Sequence, residues 1–283
     1  MSERANGRSE VDAQPEQPLL AVRHLSKHFG HIRAVQDVNL DFYSKEVVGL
    51  IGDNGAGKST FLSLLTGFYR SDSGEFIYEG RRVNQLTPKI SRRVLKIEMI
   101  YQNLRLAPDL TVWENLFLGE EARWARIFAD RRLMRSKARD VLKQLNTNID
   151  ADELVRNLSG GEQQAVAIGR AILFDRRIIL MDEPTAAISV AKVNELLELI
   201  KGLRKLGRTV VIVSHRLEDI LEVADRVVVF RQGQVAQVVR NVGLSIDDLV
   251  RMMFGGRKSV VSPQTTGEAV GAPPALDPIG GDQ

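Results

Sequence analysis

The run Gly52-Asp53-Asn54-Gly55-Ala56-Gly57-Lys58-Ser59-Thr60 matches the pattern G-x-x-x-x-G-K-[ST]. Residues of these types at this spacing bind phosphate. The glycines let the chain wrap so that backbone N–H groups point inward, and a following helix adds the positive end of its dipole. Lys58 supplies a cation and Ser59 a hydroxyl able to ligate Mg²⁺. A second run, Arg177-Ile178-Ile179-Leu180-Met181-Asp182-Glu183, is an apolar strand ending in two carboxylates. Beside a phosphate-binding loop, Asp182 is expected in the shell of Mg²⁺ and Glu183 as general base for an attacking water. The plainer alternative for Glu183 is a solvated strand-end residue. A third run, Asn157-Leu158-Ser159-Gly160-Gly161-Glu162-Gln163-Gln164, sets a serine and two glycines at the start of a helix over Gln163–Ala171. That is a second phosphate-binding helix terminus. One nucleotide in one subunit has no need of it; two subunits docked head to tail would each offer it to the γ-phosphate held by the other.

Groups this far apart in sequence need a scaffold that brings them together. Apolar, strand-like runs at Leu19–Val22, Val47–Ile51, Ile178–Met181, Val210–Val213 and Val227–Phe230 alternate with helix-like segments, the pattern of an α/β fold with a parallel sheet. The phosphate loop directly follows one such strand, and Phe61–Leu65 reads as helix after it, which is the context the motif requires. Val193, Leu196, Leu197, Ile200 and Leu203 share one helix face, with Gly207 placed to end that helix. From about residue 104 to 156 the alternation stops. There Thr111-Val112-Trp113-Glu114 is a capping box, Ala122–Leu145 is expected to form one or two helices, and Trp113, Phe117 and Trp124 are expected to pack among them. The folded part is expected over 19–254, with mobile tails at 1–18 and 255–283 that are rich in Gly, Pro, Ser, Gln and Glu.

The chain's 283 residues are 43% hydrophobic and 27% charged, which suits one globular unit and excludes collagen-like repeats and wholesale disorder. Its 39 Lys and Arg against 36 Asp and Glu give a net charge of +3, too small to indicate a nucleic-acid binder. With no cysteine it has neither disulfides nor thiolate metal sites, which fits a reducing compartment. Its apolar runs fall well short of the roughly 18–20 residues of a membrane span, and the polar N-terminus lacks the apolar stretch of a secretory signal. His24, His28 and His31 cluster without a neighbouring acid or cysteine in sequence, a weak basis for a metal site. The arginines at 81, 82, 92, 93, 123, 126, 131, 132, 135, 139, 176 and 177 read mostly as solvated helix faces, with anionic lipid headgroups as the rival reading.

Together these motifs make the sequence, over about 19–254, closely resemble the nucleotide-binding subunit of ABC transporters, whose signature is LSGGQ; the signature here is Leu158-Ser159-Gly160-Gly161-Glu162-Gln163. The resemblance implies a P-loop core with an antiparallel N-terminal β subdomain and a helical subdomain at about 104–156. It implies ATP and Mg²⁺ as ligands and hydrolysis in a closed dimer. It adds Phe29 as the aromatic that stacks on adenine, Gln102 as a contact to Mg²⁺ and water near the membrane partner, and His215 as the histidine that touches the γ-phosphate. The implied ATP contacts are thus Phe29 and Gly52 through Thr60, the implied metal shell Ser59, Gln102 and Asp182, and the implied catalytic set Glu183, His215 and Gln102.

Within the family, Pro184-Thr185-Ala186-Ala187, Gly52-Asp53-Asn54-Gly55, Ile97–Leu104, Asn115–Gly119 and Gln164–Ile168 resemble the monosaccharide-importer branch. That implies an ATPase at the cytoplasmic face of the cell membrane, working with permease subunits and, indirectly, an extracytoplasmic solute-binding protein. The alternative is the ATPase of an exporter or of an importer for another small solute. Members of that branch often fuse two ATPase halves, whereas this chain holds one phosphate loop and one signature, so it would pair with itself or a close homologue. Where the family usually has Ser-Ala-Leu-Asp this chain reads Ala186-Ala187-Ile188-Ser189, which puts in question the communication that the Asp provides. An ATPase of translation or repair would carry both halves or a long coiled coil, a regulator without chemistry would have lost the catalytic residues, and a GTPase would show Asn-Lys-x-Asp; none of these features is present.

Overall fold

The computed structural model describes residues 17–119, 131–186, 188 and 190–255. Arg123, Trp124, Arg126 and the first part of the helix expected over Ala122–Leu145 lie outside the described residues, as do nearly all of both expected tails.

Two sheets carry the fold. The first is antiparallel, in the order β2-β1-β4-β5, from β1 (Leu20–Phe29), β2 (Ile32–Phe42), β4 (Ser73–Tyr78) and β5 (Arg81–Val83). The second has six strands in the order β10-β9-β3-β8-β7-β6: β3 (Val47–Gly52), β6 (Ile97–Ile100), β7 (Ile178–Asp182), β8 (Thr209–Val213), β9 (Arg226–Arg231) and β10 (Gln234–Arg240). All its pairings are parallel except β9 with β10, which form a hairpin.

Strands buried on both faces should be apolar and rich in β-branched residues along their length, and β3, β7, β8 and β9 are so through their centres. Because side chains alternate, each strand splits between two cores. Val48, Leu50, Ile178, Leu180, Val211, Val213, Val228 and Phe230 face the first sheet and α1 (Lys58–Leu65). Val47, Ile51, Ile179, Met181, Val210, Ile212, Val227 and Val229 face α5 (Gly160–Leu173), α6 (Val190–Lys205), α7 (Leu217–Val223) and α8 (Ile246–Phe254). The periodicity seen at Val193–Leu203 is the buried face of α6, and Gly207 follows that helix in the left-handed conformation, φ 82°.

A third apolar cluster joins α3 (Val112–Phe117), α4 (Arg131–Gln144) and one side of α5, with Trp113 and Phe117 inside it. The capping box forms as expected: the Thr111 N–H and hydroxyl donate to the Glu114 carboxylate at 2.9 and 2.8 Å. A short helix, α2 (Pro88–Arg93), precedes β6.

Two expectations change. Not every arginine is solvated: Arg176 is 1% exposed and donates to Glu98, which also pairs with Arg92 at 2.6 Å. The histidines do have acids beside them in space, because β1 runs along β2 and the segment before β4. His24 Nδ1 lies 2.8 Å from Asp37 and His28 Nδ1 3.9 Å from Asp72. These are single pairs; among the described residues no three His, Cys, Asp or Glu side chains converge as a metal-binding group.

Candidate active site

In a parallel sheet every strand ends on the same side, so chemistry at strand ends collects along one edge. Four adjacent strands, β3-β8-β7-β6, end in the phosphate loop, Ser214-His215, Asp182-Glu183 and Tyr101-Gln102. A cleft of about 500 Å³ runs over this edge. It is lined by Phe29, Ile32, Arg33, Ala34, residues 54–60, Gln102, Asp182, Glu183, Val213 and His215.

The loop's shape explains its glycines. Gly57 caps α1 at φ 102°, and a Cβ there would stand 2.3 Å from the Ala34 carbonyl oxygen. No other residue fits that contact. Lys58, the first residue of α1, is 6% exposed, and its ammonium donates to the carbonyls of Gly52 at 2.6 Å and Asp53 at 2.9 Å. Burial lowers its pKa, while the carboxylates of Glu183, Asp182 and Asp53 work against that shift. The Asn54 N–H donates to the Asp53 carboxylate at 2.8 Å, which braces the loop's outer turn. Gly52 and Asp53 therefore serve the site through their carbonyls and the brace rather than by lining the cleft.

Asp182 and Ser59, far apart in sequence, both line this cleft. Burial raises the Asp182 pKa, opposed by Ser59, Lys58 and His215. Gln102 lies exposed at the lip. This set fits Mg²⁺: one carboxylate, one hydroxyl and one amide oxygen are too few for a protein cage, but they suit an ion that takes its remaining oxygens from phosphates and water.

Glu183 holds φ 51°, unusual for a residue with a side chain, fixed by its N–H bond to the Val213 carbonyl at 2.9 Å. The turn aims its carboxylate at His215, whose N–H donates to Oε2 at 3.2 Å and whose Nε2 lies 3.1 Å from Oε1. Burial pushes the Glu183 pKa up; the bond and charge of His215 pull the other way, and Asp182 pushes it further up. A half-buried carboxyl with a raised pKa, aimed into a phosphate cleft, has the properties of a general base.

None of residues Leu158–Gln163 lines this cleft. They form the exposed N-terminus of α5, which begins at Gly160, three residues before the expected start. Ser159 and Glu162 make a capping box: the Ser159 N–H and hydroxyl donate to the Glu162 carboxylate at 2.8 and 2.7 Å, lowering its pKa. The Gln163 amide donates to the Leu158 carbonyl at 3.1 Å and so is turned back onto the motif. Gly160 and Gly161 leave the helix end open. Ala187 and Ser189 of the departing stretch lie outside the described residues.

Of the residues at the far end of the cleft, the family resemblance had named Phe29, while sequence reasoning missed Ile32 and Arg33. Phe29 and Ile32 are cross-strand partners flanking the turn Gly30-His31, so their side chains share a face. Arg33 adds a second cation beside the loop. The two-residue turn with an apolar residue on either side is the signal that was available.

Fold and site together define a P-loop nucleotide-binding protein of the parallel α/β kind. The sequence profile of the family described as "ABC transporter" matches residues 35–186. The chain is 38% identical over 247 residues to the ribose import ATP-binding protein of Caldanaerobacter subterraneus, covering 84% of this chain and 48% of that protein. It is 39% identical over 236 residues to the xylose/arabinose import ATP-binding protein of Sulfolobus acidocaldarius, covering 83% and 93%. It thus spans about half the length of the ribose-import relative and nearly all of the second. Among solved structures, a nucleotide-free ATP-binding cassette from an ABC transporter superposes with a TM-score of 0.71 at 26% identity, over 85% of this chain and 96% of that one. A dimeric cassette in a post-hydrolysis state with ADP and Pi gives 0.65 at 28%, over 80% and 100%. The chain belongs to the ABC transporter family, and its fold is that of an ATP-binding cassette.

Proposed function

We propose that this cassette hydrolyses ATP in a head-to-tail dimer and thereby powers uptake of a monosaccharide through separate permease subunits. The observation that carries the reading is the division of the chemistry: Lys58, Asp182, Glu183 and His215 share one cleft, while the Ser159–Gly161 helix end stands open outside it. The sugar half rests on the two import relatives.

Phe29 stacks on adenine, and the loop amides and Lys58 hold the phosphates. Ser159 and Gly161 of a second copy, or of a close homologue, cap the γ-phosphate. Ser59, Asp182 and Gln102 would hold Mg²⁺, which when bound neutralises phosphate charge. Glu183 accepts a proton from the attacking water, and its pairing with His215 keeps its oxygens aimed at the cleft. His215 also faces the γ-phosphate, and loss of that phosphate removes the bridge between copies.

Gln102 and residues 104–156 carry closure and opening to the permease. The subunit works as a peripheral protein at the cytoplasmic face, a reading that rests on the import relatives; no helix among the described residues is long and apolar enough to cross a membrane. Purification from native membranes in mild detergent, with mass spectrometry of what travels with it, is the test. A multi-span permease with a sugar-binding protein supports the reading; ribosomes, DNA or an exporter permease overturns it.

A further inference from the structure

Phe29 sits at an exposed hairpin tip, 39% accessible, and a tip does not by itself hold a ring in place. The contacts that steady it come from the segment following α1. The Tyr69 ring meets Phe29 edge to face, with centroids 5.0 Å apart and planes at 72°, and Phe68 packs on Tyr69 in turn at 4.9 Å. The Lys27 ammonium lies 5.5 Å from the centre of the Phe29 ring and is held by Asp72 at 2.8 Å. Asp72 also accepts from the His28 N–H at 2.6 Å, and its own N–H donates to the Ser26 carbonyl at 2.9 Å.

The same segment is tied to the phosphate end. The N–H groups of Phe68 and Tyr69 both donate to the Ser63 carbonyl in α1, at 3.0 and 3.3 Å. The Ser63 hydroxyl donates to the carbonyl of Ser59 at 2.8 Å. A continuous path therefore runs from Ser59 through Ser63 and Tyr69 to Phe29. Tyr69 is 38% exposed and Phe68 62%, so neither is a core residue held there for burial alone.

We propose that Tyr69 is a positioning residue for recognition of the nucleobase: its ring orients Phe29 for stacking, and its backbone bond to α1 sets the distance of that ring from the phosphate cradle. This rests on the reading of Phe29 as the base-stacking residue. It follows that Tyr69 matters for ligands carrying an aromatic base and not for a bare phosphate chain. The contact is made by the ring, so phenylalanine should replace it.

Equilibrium binding of ATP and of inorganic tripolyphosphate to the full chain tests this in Tyr69→Ala, Tyr69→Phe and Phe29→Ala. Loss of one aromatic pair predicts about 3- to 10-fold weaker ATP binding in Tyr69→Ala, unchanged tripolyphosphate binding, and wild-type behaviour in Tyr69→Phe. Weakened ATP binding in Phe29→Ala with none in Tyr69→Ala overturns the positioning role. An equal loss for ATP and tripolyphosphate in Tyr69→Ala also overturns it, because Tyr69 would then be bracing α1. Unchanged ATP binding in Phe29→Ala removes the stacking reading itself, and the inference with it.

Discussion

The two ends of the cleft are built on opposite plans. At the phosphate end, Lys58 is buried and Asp182 and Glu183 are half-buried at the ends of buried central strands; the Gly52 and Asp53 carbonyls hold the Lys58 ammonium, and a bond to the Val213 carbonyl fixes the Glu183 backbone. At the hairpin end, where the proposed function puts the base, Phe29 and Ile32 flank an exposed turn, and Phe29 is steadied by the Tyr69 ring and by Lys27, which Asp72 holds. The pKa shifts record the difference. Burial is the largest influence on Asp182 and Glu183 and raises both, whereas at Asp72 the bond from Lys27 is the largest and lowers it. Under the proposed function, charge drawn out of water would perform the reaction and a half-exposed apolar surface would select the ligand. Substitutions at the first end should therefore change rates by orders of magnitude, and at the second end should change affinity several-fold.

The largest effect is expected from Glu183→Gln. It keeps the shape of the side chain and removes the base, so turnover should fall about 10²- to 10⁴-fold while ATP binding persists. Phosphate release gives the rate, and sizing with and without ATP should show the dimer accumulating. A variant hydrolysing ATP at the wild-type rate would remove Glu183 from the catalytic role and break the contrast between the two ends.

The opposite pKa shifts predict opposite pH dependences of stability. A carboxyl whose folded pKa is raised contributes stability below its ordinary pKa, and that contribution is lost as pH rises through the folded value. Glu183→Gln should then be more stable than wild type at neutral pH, with the difference closing in acid. Asp72 is shifted down, so its contribution is present above its ordinary pKa and is lost as pH falls through the folded value. Asp72→Asn should be less stable at neutral pH, with the gap again closing in acid. Denaturation of both variants between about pH 3 and 8 spans the ordinary carboxylate range and checks both signs; equal signs would mean that burial does not separate the two ends.

The phosphate end was legible in the sequence because its elements are local. Each of β3 and β7 is a short apolar run with its functional residues at or directly after its end, and the Thr111–Glu114 capping box lies within four residues. Gln102 and His215 were found only through the family resemblance, since a lone Gln or His at a strand end says nothing until sheet order puts it beside β7. The meeting of Ser59 and Asp182 in one cleft and the Glu183–His215 contact depend on that same order. At the hairpin end only Phe29 was named, through the family resemblance, and its neighbours were hidden. Strand β1 is irregular, with register shifts against β2 and a left-handed residue at His24, so its alternation is broken. The acids that pair with His24 and His28 come from other strands and loops, and Tyr69 reaches Phe29 only because the chain after α1 turns back to β1.

Ile32 offers the smallest test. It is 69% exposed and anchors no core, yet it lines the cleft opposite the turn from Phe29. A base laid on the Phe29 ring would cover part of it. Removing the side chain beyond Cβ deletes apolar contact worth about 1 kcal/mol, so Ile32→Ala should weaken ATP binding by about 5-fold. Stability should be unaffected, because the side chain is already in water, and tripolyphosphate should bind as before, because Ile32 carries no charge or hydrogen bond to phosphate. Calorimetric titration with both ligands separates the outcomes. A loss confined to ATP sharpens the division of labour between the two ends; a loss shared by tripolyphosphate would mean that the hairpin tip shapes the phosphate loop, and that the cleft works as one unit from Ile32 to Glu183.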